Sequence, residues 1–195
     1  MLGSIKYNLS HLASFSGRDA RQTFWYYVLF LVLVHFAISM AVSVPMVIAM
    51  MQRTFVQAQA GVEEEIMLGA MMQDMGGWIA TSVWIGVAIQ LLTMALAAAA
   101  FVRRLHDSGR TGWWCALAIA CGLGSVAVNI SMIDEMQALF ALSAADPIAF
   151  QQAAMEQRGN PLSLLGWIAP IVVIVFGVMK STDGPNRYGE APARF

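Results

Sequence analysis

Apolar residues gather along this chain into four long stretches: Phe24–Met51, Trp78–Val102, Trp113–Met132 and Leu162–Met179. No Asp, Glu, Lys or Arg interrupts any of them. A helix crosses the hydrocarbon core of a bilayer with about 20 apolar residues, within a range of roughly 17 to 25. The pattern therefore predicts an all-α, polytopic membrane protein built as a four-transmembrane-helix bundle. It forms a single membrane domain with cytoplasmic segments 1–23, 103–112 and 180–195 and outer loops 52–77 and 133–161.

Composition supports the same class. Of the 195 residues, 58% are hydrophobic and 12% charged, about half the charged fraction of a soluble domain. The first 23 residues lack the continuous apolar core of a cleavable signal, so the first span is expected to be retained as an anchor. Segments 1–23, 103–112 and 180–195 carry nine of the eleven Lys and Arg residues and four of the twelve acids. The other two loops carry Arg53, Arg158 and eight acids. Basic residues mark the cytoplasmic side, so both termini are expected there, in a bacterial inner membrane.

Local signals refine the elements. Ser16 and Asp19 have capping-box spacing, which predicts a helix running from this point into the first span. Trp25, Tyr26 and Tyr27 read as an interfacial aromatic belt. The loop 52–77 predicts a short amphipathic helix around Val62, Ile66 and Gly69–Met72, stopped by Gly76-Gly77. The loop 133–161 predicts two helical pieces split at Asp146-Pro147 and ended by Gly159-Asn160-Pro161. These pieces either cap the outer face or extend the helices past the bilayer. Ala118/Gly122 and Ala120/Gly124 have the small-xxx-small spacing that lets helices approach closely. Cys115 and Cys121 lie six apart on different helical faces and read as packing thiols.

Three basic segments stand out: FSGRDARQTFW at 15–25, RRLHDSGRTGWW at 103–114 and DGPNRYG at 183–189. Together they resemble a bacterial inner-membrane family known as domain of unknown function 805. Its N-terminal F-x-G-R-x-x-R-x-x-[FY]-W pattern is matched by Phe15, Gly17, Arg18, Arg21, Phe24 and Trp25. Its central R-R-L-H-D-x-x-[RK]-[ST]-G-W-W pattern is matched by Arg103, Arg104, Leu105, His106, Asp107, Arg110, Thr111, Gly112, Trp113 and Trp114. Its C-terminal G-x-N-x-[YF]-G is matched by Gly184, Asn186, Tyr188 and Gly189. The resemblance covers residues 15–190, departs from typical members in two longer outer loops, and implies no assigned activity.

Two readings of these motifs follow from their chemistry. In one, they fold the chain: Arg103 and Arg104 end the second helix against its negative dipole, Asp107 pairs with either, Ser108-Gly109 turns the chain, and Thr111 caps the next helix. In the other, Arg18, Arg21, Arg103, Arg104, Arg110 and Arg187 gather around His106, Asp107 and Asn186. Guanidinium forks suit phosphate and carboxylate. Such a site would take an anionic lipid headgroup, a phosphorylated ligand or an acidic segment of a membrane-protein partner. Membrane lipids, a membrane-protein partner or a second copy are the expected partners, and nucleic acid is not. Inside the spans, His35 and Gln90 fall at similar depth, roughly 16–18 Å in, and an interhelical hydrogen bond between them is expected. A transporter or channel subunit would use these two residues. An enzyme acting on lipid headgroups would use His106 and Asp107, but no catalytic or metal motif accompanies them, so no enzyme activity and no cofactor are expected.

Overall fold

The computed structural model describes residues 1–145, 149–152, 155 and 161–192, and all of its long elements are helical. In chain order these are α1 (Leu2–Ser10), α2 (Arg21–Gln59), α3 (Glu64–Asp107), α4 (Trp113–Ala145), a 3-10 turn (Pro161–Leu164) and α5 (Leu165–Val178). Among the described residues three helices are long and apolar enough to cross a membrane: α2, α3 and the Trp113–Phe140 part of α4. With 39 and 44 residues, α2 and α3 measure about 58 and 66 Å, against a hydrocarbon thickness near 30 Å. The fourth apolar stretch forms the 3-10 turn and the 14-residue α5.

Their length comes from the segments predicted as loops. Only residues 60–63 separate α2 from α3. The expected short amphipathic helix at 62–72 and the Gly76-Gly77 stop are thus corrected: α3 begins at Glu64 and passes through both glycines. A glycine inside a helix costs about 1 kcal/mol relative to alanine, but Gly76 is buried, and an added Cβ would lie 3.4 Å from Phe140 Cβ. Packing rather than chain reversal explains it. Beyond Met132, α4 continues to Ala145. The proposed break at Asp146-Pro147, and Gly159-Asn160, lie outside the described residues; Pro161 opens the 3-10 turn.

The chain divides into two compact units, and α2, α3 and α4 contribute to both. Unit 2 comprises residues 37–88 and 126–163. It contains an exposed Arg53–Asp74 ion pair of 2.9 Å and a cavity of about 140 Å³ lined in part by Met46, Met50, Met75 and Trp78. That is small beside the roughly 300–1,000 Å³ of typical ligand pockets.

Unit 1 comprises residues 1–36, 89–125 and 164–195, and it holds all three motif segments. Its core packs Phe24, Tyr27 and Leu31 of α2 against Phe101, Val102 and Leu105 of α3, with Cys115 and Ala118 of α4 and Phe176 of α5. Small residues set the spacing, as expected from Ala118/Gly122: an added Cβ at Gly122 would lie 2.9 Å from Met94 Sδ. One at Gly177 would meet the Trp25 and Phe24 rings at 2.8 and 2.9 Å. The two cysteines are free thiols.

Two local expectations are corrected here. The helix predicted to start at the Ser16–Asp19 box begins instead at Arg21. Gly17 adopts φ +91°, outside helical space, and Asp19 turns inward to Arg103. A buried partner across the fold has displaced the local cap. The aromatic belt is corrected in part, at Trp25 and Tyr27, while Tyr26 stays half-exposed. Tyr27 is fully buried and its hydroxyl donates to the Leu96 carbonyl at 3.2 Å, while Trp25 Nε1 donates to the Gly177 carbonyl at 3.1 Å. Both use their polar atoms to close helix contacts.

Candidate functional site

The candidate site is the end of unit 1 where α3 stops. Arg103 and Arg104 follow directly on the apolar stretch that ends at Val102, and both are buried near the C-terminal end of α3. Gly109, at φ +73°, turns the chain. The next helix begins at Trp113, which puts Gly112 rather than the expected Thr111 in the capping position.

Asp107 is the hub. Its Oδ1 accepts from Arg18 Nε at 3.2 Å and Nη2 at 3.0 Å, and its Oδ2 accepts from Arg104 Nη1 and the Ser181 hydroxyl. Arg18 also donates to the carbonyls of Thr182 and Gly184 at 2.8 and 2.7 Å and to the Thr182 hydroxyl at 3.1 Å. Arg104 reaches the other way, donating from Nε to the Gly177 carbonyl at 3.1 Å and from Nη2 to the Met179 carbonyl. It thereby caps the C-terminal end of α5, where a cation is favoured by the dipole. Burial pulls the Arg104 guanidinium below its ordinary value, and Asp107 pushes it back up.

Arg103 works on the opposite flank. It does not pair with Asp107, as its i,i+4 spacing allowed. Its Nη1 donates to the His11 carbonyl at 2.9 Å and to the Ser14 carbonyl, and its Nη2 donates to Asn8 Oδ1 at 2.6 Å. Asp19 Oδ1 lies 3.1 Å from Arg103 Nε, but out of line with the N–H, so the contact is an ion pair without a hydrogen bond. Burial raises the Asp19 carboxyl, against the pull of Arg103.

Asn186 and His106 complete the closure. Asn186 Nδ2 donates to the His106 carbonyl at 3.0 Å and to the Thr182 hydroxyl at 2.7 Å, and its Oδ1 accepts from the Tyr188 amide at 2.9 Å. The amides and carbonyls of Asn186 and Gly189 bond reciprocally. That tight turn lays Tyr188 flat on His106, with centroids 3.8 Å apart and planes 5° apart. Arg187 in turn lies over the Tyr188 ring at 4.7 Å. Burial holds the His106 imidazole below its ordinary 6.5; the Gly17 carbonyl acts against this and Arg187 adds to it.

A pH dependence follows from His106. The folded state prefers the neutral ring, so its contribution is complete above the unfolded value of about 6.5 and is lost as pH falls below it. The melting temperature should therefore decline as pH falls through about 6.5, above the ordinary carboxylate range, whereas the raised Asp19 carboxyl acts in the opposite sense. His106→Phe keeps a ring under Tyr188 and should flatten that decline; an unchanged slope would show that another group is responsible.

The residues singled out from the sequence thus separate into two sets. Arg18, Arg103, Arg104 and Asp107 are buried and bonded to the chain itself. Arg21, Arg110 and Arg187 are exposed, and none has a carboxylate partner among the described residues. The predicted His35–Gln90 bond is not formed: Gln90 Nε2 donates to the Gly122 carbonyl at 3.2 Å, and His35 is exposed. Asn8, Ser14, Ser181 and Thr182 belong to the network although no motif pointed to them. Among the described residues no group of three His, Cys, Asp or Glu side chains comes together to hold a metal.

A long-helix, multi-pass membrane protein whose basic motifs close one end through a buried charge network is the class defined here. Residues 12–190 match the family model described as Protein of unknown function (DUF805), and the chain belongs to that family. No curated protein and no solved structure matches the chain significantly.

Proposed function

We propose that the protein is a non-enzymatic inner-membrane binding protein. In this reading the chain crosses four times with both termini cytoplasmic, and it holds anionic lipid headgroups on Arg21, Arg110 and Arg187. The fourth crossing would use the 3-10 turn and α5 together. One observation carries the binding site: these three guanidiniums are exposed and lack carboxylate partners among the described residues, whereas Arg18, Arg103 and Arg104 are consumed internally. They sit on three different segments at the end of unit 1 that is rich in basic residues. A phosphorylated ligand or an acidic partner segment would use the same chemistry. The bilayer is favoured because it is always present, and its anionic surface attracts such charges.

The other readings have less support. A nucleophile with an aligned base would favour an enzyme, but the Ser108 hydroxyl donates to the Leu105 carbonyl at 3.0 Å and Asp107 is fully engaged. Gln90 is occupied by helix packing, which gives a transporter little to work with inside the span.

The test is native mass spectrometry of the protein from discs of phosphatidylglycerol and phosphatidylcholine, with Arg21→Gln/Arg110→Gln/Arg187→Gln beside wild type. Each surface cation near an anionic membrane contributes about 1 kcal/mol. The triple variant should therefore retain phosphatidylglycerol roughly a hundredfold less well. Retention of phosphatidylglycerol unchanged in the variant would exclude lipid binding at these arginines. A small phosphorylated molecule or a protein retained by wild type alone would replace lipid with that ligand.

A further inference from the structure

The polarity of α1 is inverted. A surface helix normally turns its apolar stripe to the protein and its polar stripe to water. In α1, Ser4 and Asn8, one turn apart on one face, are fully buried. Leu2 and Leu9, two turns apart on the opposite face, are 82% and 42% exposed. Lys6 lies between those leucines and is exposed too. Just past the helix, Phe15 is 51% exposed. An outward stripe of Leu, Lys and Leu is unfavourable in water and suits a bilayer surface, where the chains enter the lipid and the ammonium reaches the phosphates.

The helix also sits at the right level. Arg103 holds Asn8, His11 and Ser14, and it is the first residue after the apolar run of α3. Its backbone carbonyl accepts from the Asp19 amide at 3.1 Å. The segment is therefore tied to the point where a membrane-crossing helix meets the headgroups. Trp113, at the start of α4 in the same unit, is itself exposed, as befits a residue at an interface.

We infer that α1 is an interfacial foot: it lies in the membrane surface, with Leu2 and Leu9 about 5–10 Å into the headgroup boundary and its polar face packed on Arg103. This inference rests on the membrane-spanning helices and not on anion binding by Arg21, Arg110 and Arg187, so the two can fail separately.

The full-length protein would be placed in discs of phosphatidylethanolamine and phosphatidylglycerol. An environment-sensitive fluorophore would be attached at Leu2→Cys or Leu9→Cys in a Cys115→Ser/Cys121→Ser background, with Glu190→Cys as the exposed reference. Both α1 positions should emit to the blue of the reference and be quenched several-fold more strongly by lipids bearing a nitroxide near the headgroup. Water-like emission, or blue emission that the nitroxide lipids do not quench, would overturn the inference; the second result would mean that a protein covers the face. If the cysteine-free background does not fold, hydroxyl-radical footprinting of the unaltered protein in the same discs answers the same question. Leu2 and Leu9 should then be oxidised several-fold less in discs than after the lipid is stripped into short-chain detergent, and equal oxidation would overturn the inference.

Discussion

Asp107→Ala should destabilise the protein by about 3–5 kcal/mol, the cost of stranding a buried charge. The carboxylate is fully buried and receives Arg18, Arg104 and Ser181. Its loss leaves two guanidiniums facing each other without a counter-charge. Coulomb repulsion and lost hydrogen bonds then act in the same direction, because neither arginine can rotate out to water without opening the C-terminal segment. Asp107→Asn should lie near the same value: it preserves the shape but not the charge. Asp183→Ala is the control, since its pair with Lys180 is exposed and exposed pairs contribute little. Chemical unfolding of the detergent-solubilised variants, followed by tryptophan fluorescence, measures all three. A loss below about 1 kcal/mol for Asp107→Ala would mean that the network is not the closure it resembles.

Arg103→Ala should have a comparable total effect but a different location. Asp19 would be left buried and unpaired, at a cost of about 3–5 kcal/mol, and the Asn8 amide and the His11 and Ser14 carbonyls would lose their donor. The failure should begin at α1. Limited proteolysis should cut within residues 1–20 of Arg103→Ala before any cut appears in the 103–112 turn, whereas Asp107→Ala should open the 180–190 segment first. Arg103→Lys should recover only part of the stability, because one ammonium on a flexible stem cannot reproduce a planar fork serving several acceptors. Simultaneous cleavage at both places in both variants would mean that the end of the unit unfolds as one piece, without separable flanks.

These two results bear on how the arginines should be probed. Charge reversal at Arg104 would report folding, because Arg104 is inside. Binding is better tested at Arg21, Arg110 and Arg187, whose removal strands nothing. The identical chemistry of the six side chains hides this distinction until their surroundings are known.

Apolar length alone was enough to read the class of protein, since the free energy of a span is a sum over consecutive residues. The stretches from Phe24, Trp78 and Trp113 all lie within helices long enough to cross. The motifs at 15–25, 103–114 and 183–189 were likewise visible as residue types, and with them the family. Tertiary structure decided which role each motif residue takes. The partner of a buried charge is set by what the fold brings within about 3 Å: Arg18 reaches Asp107 and Gly184, and Arg103 reaches Asn8, across separations of 89 to 166 residues. Local spacing pointed instead to Asp19 as a cap and to either Arg103 or Arg104 as a partner of Asp107, of which only Arg104 pairs with it. Burial decided the rest. Gly76 joins a packed helix instead of ending it, Trp25 and Tyr27 turn inward, and α1 presents its leucines outward because Arg103 takes its polar face. Hydropathy is a property of neighbours along the chain, whereas the cost of a charge or an apolar side chain depends on what surrounds it in space.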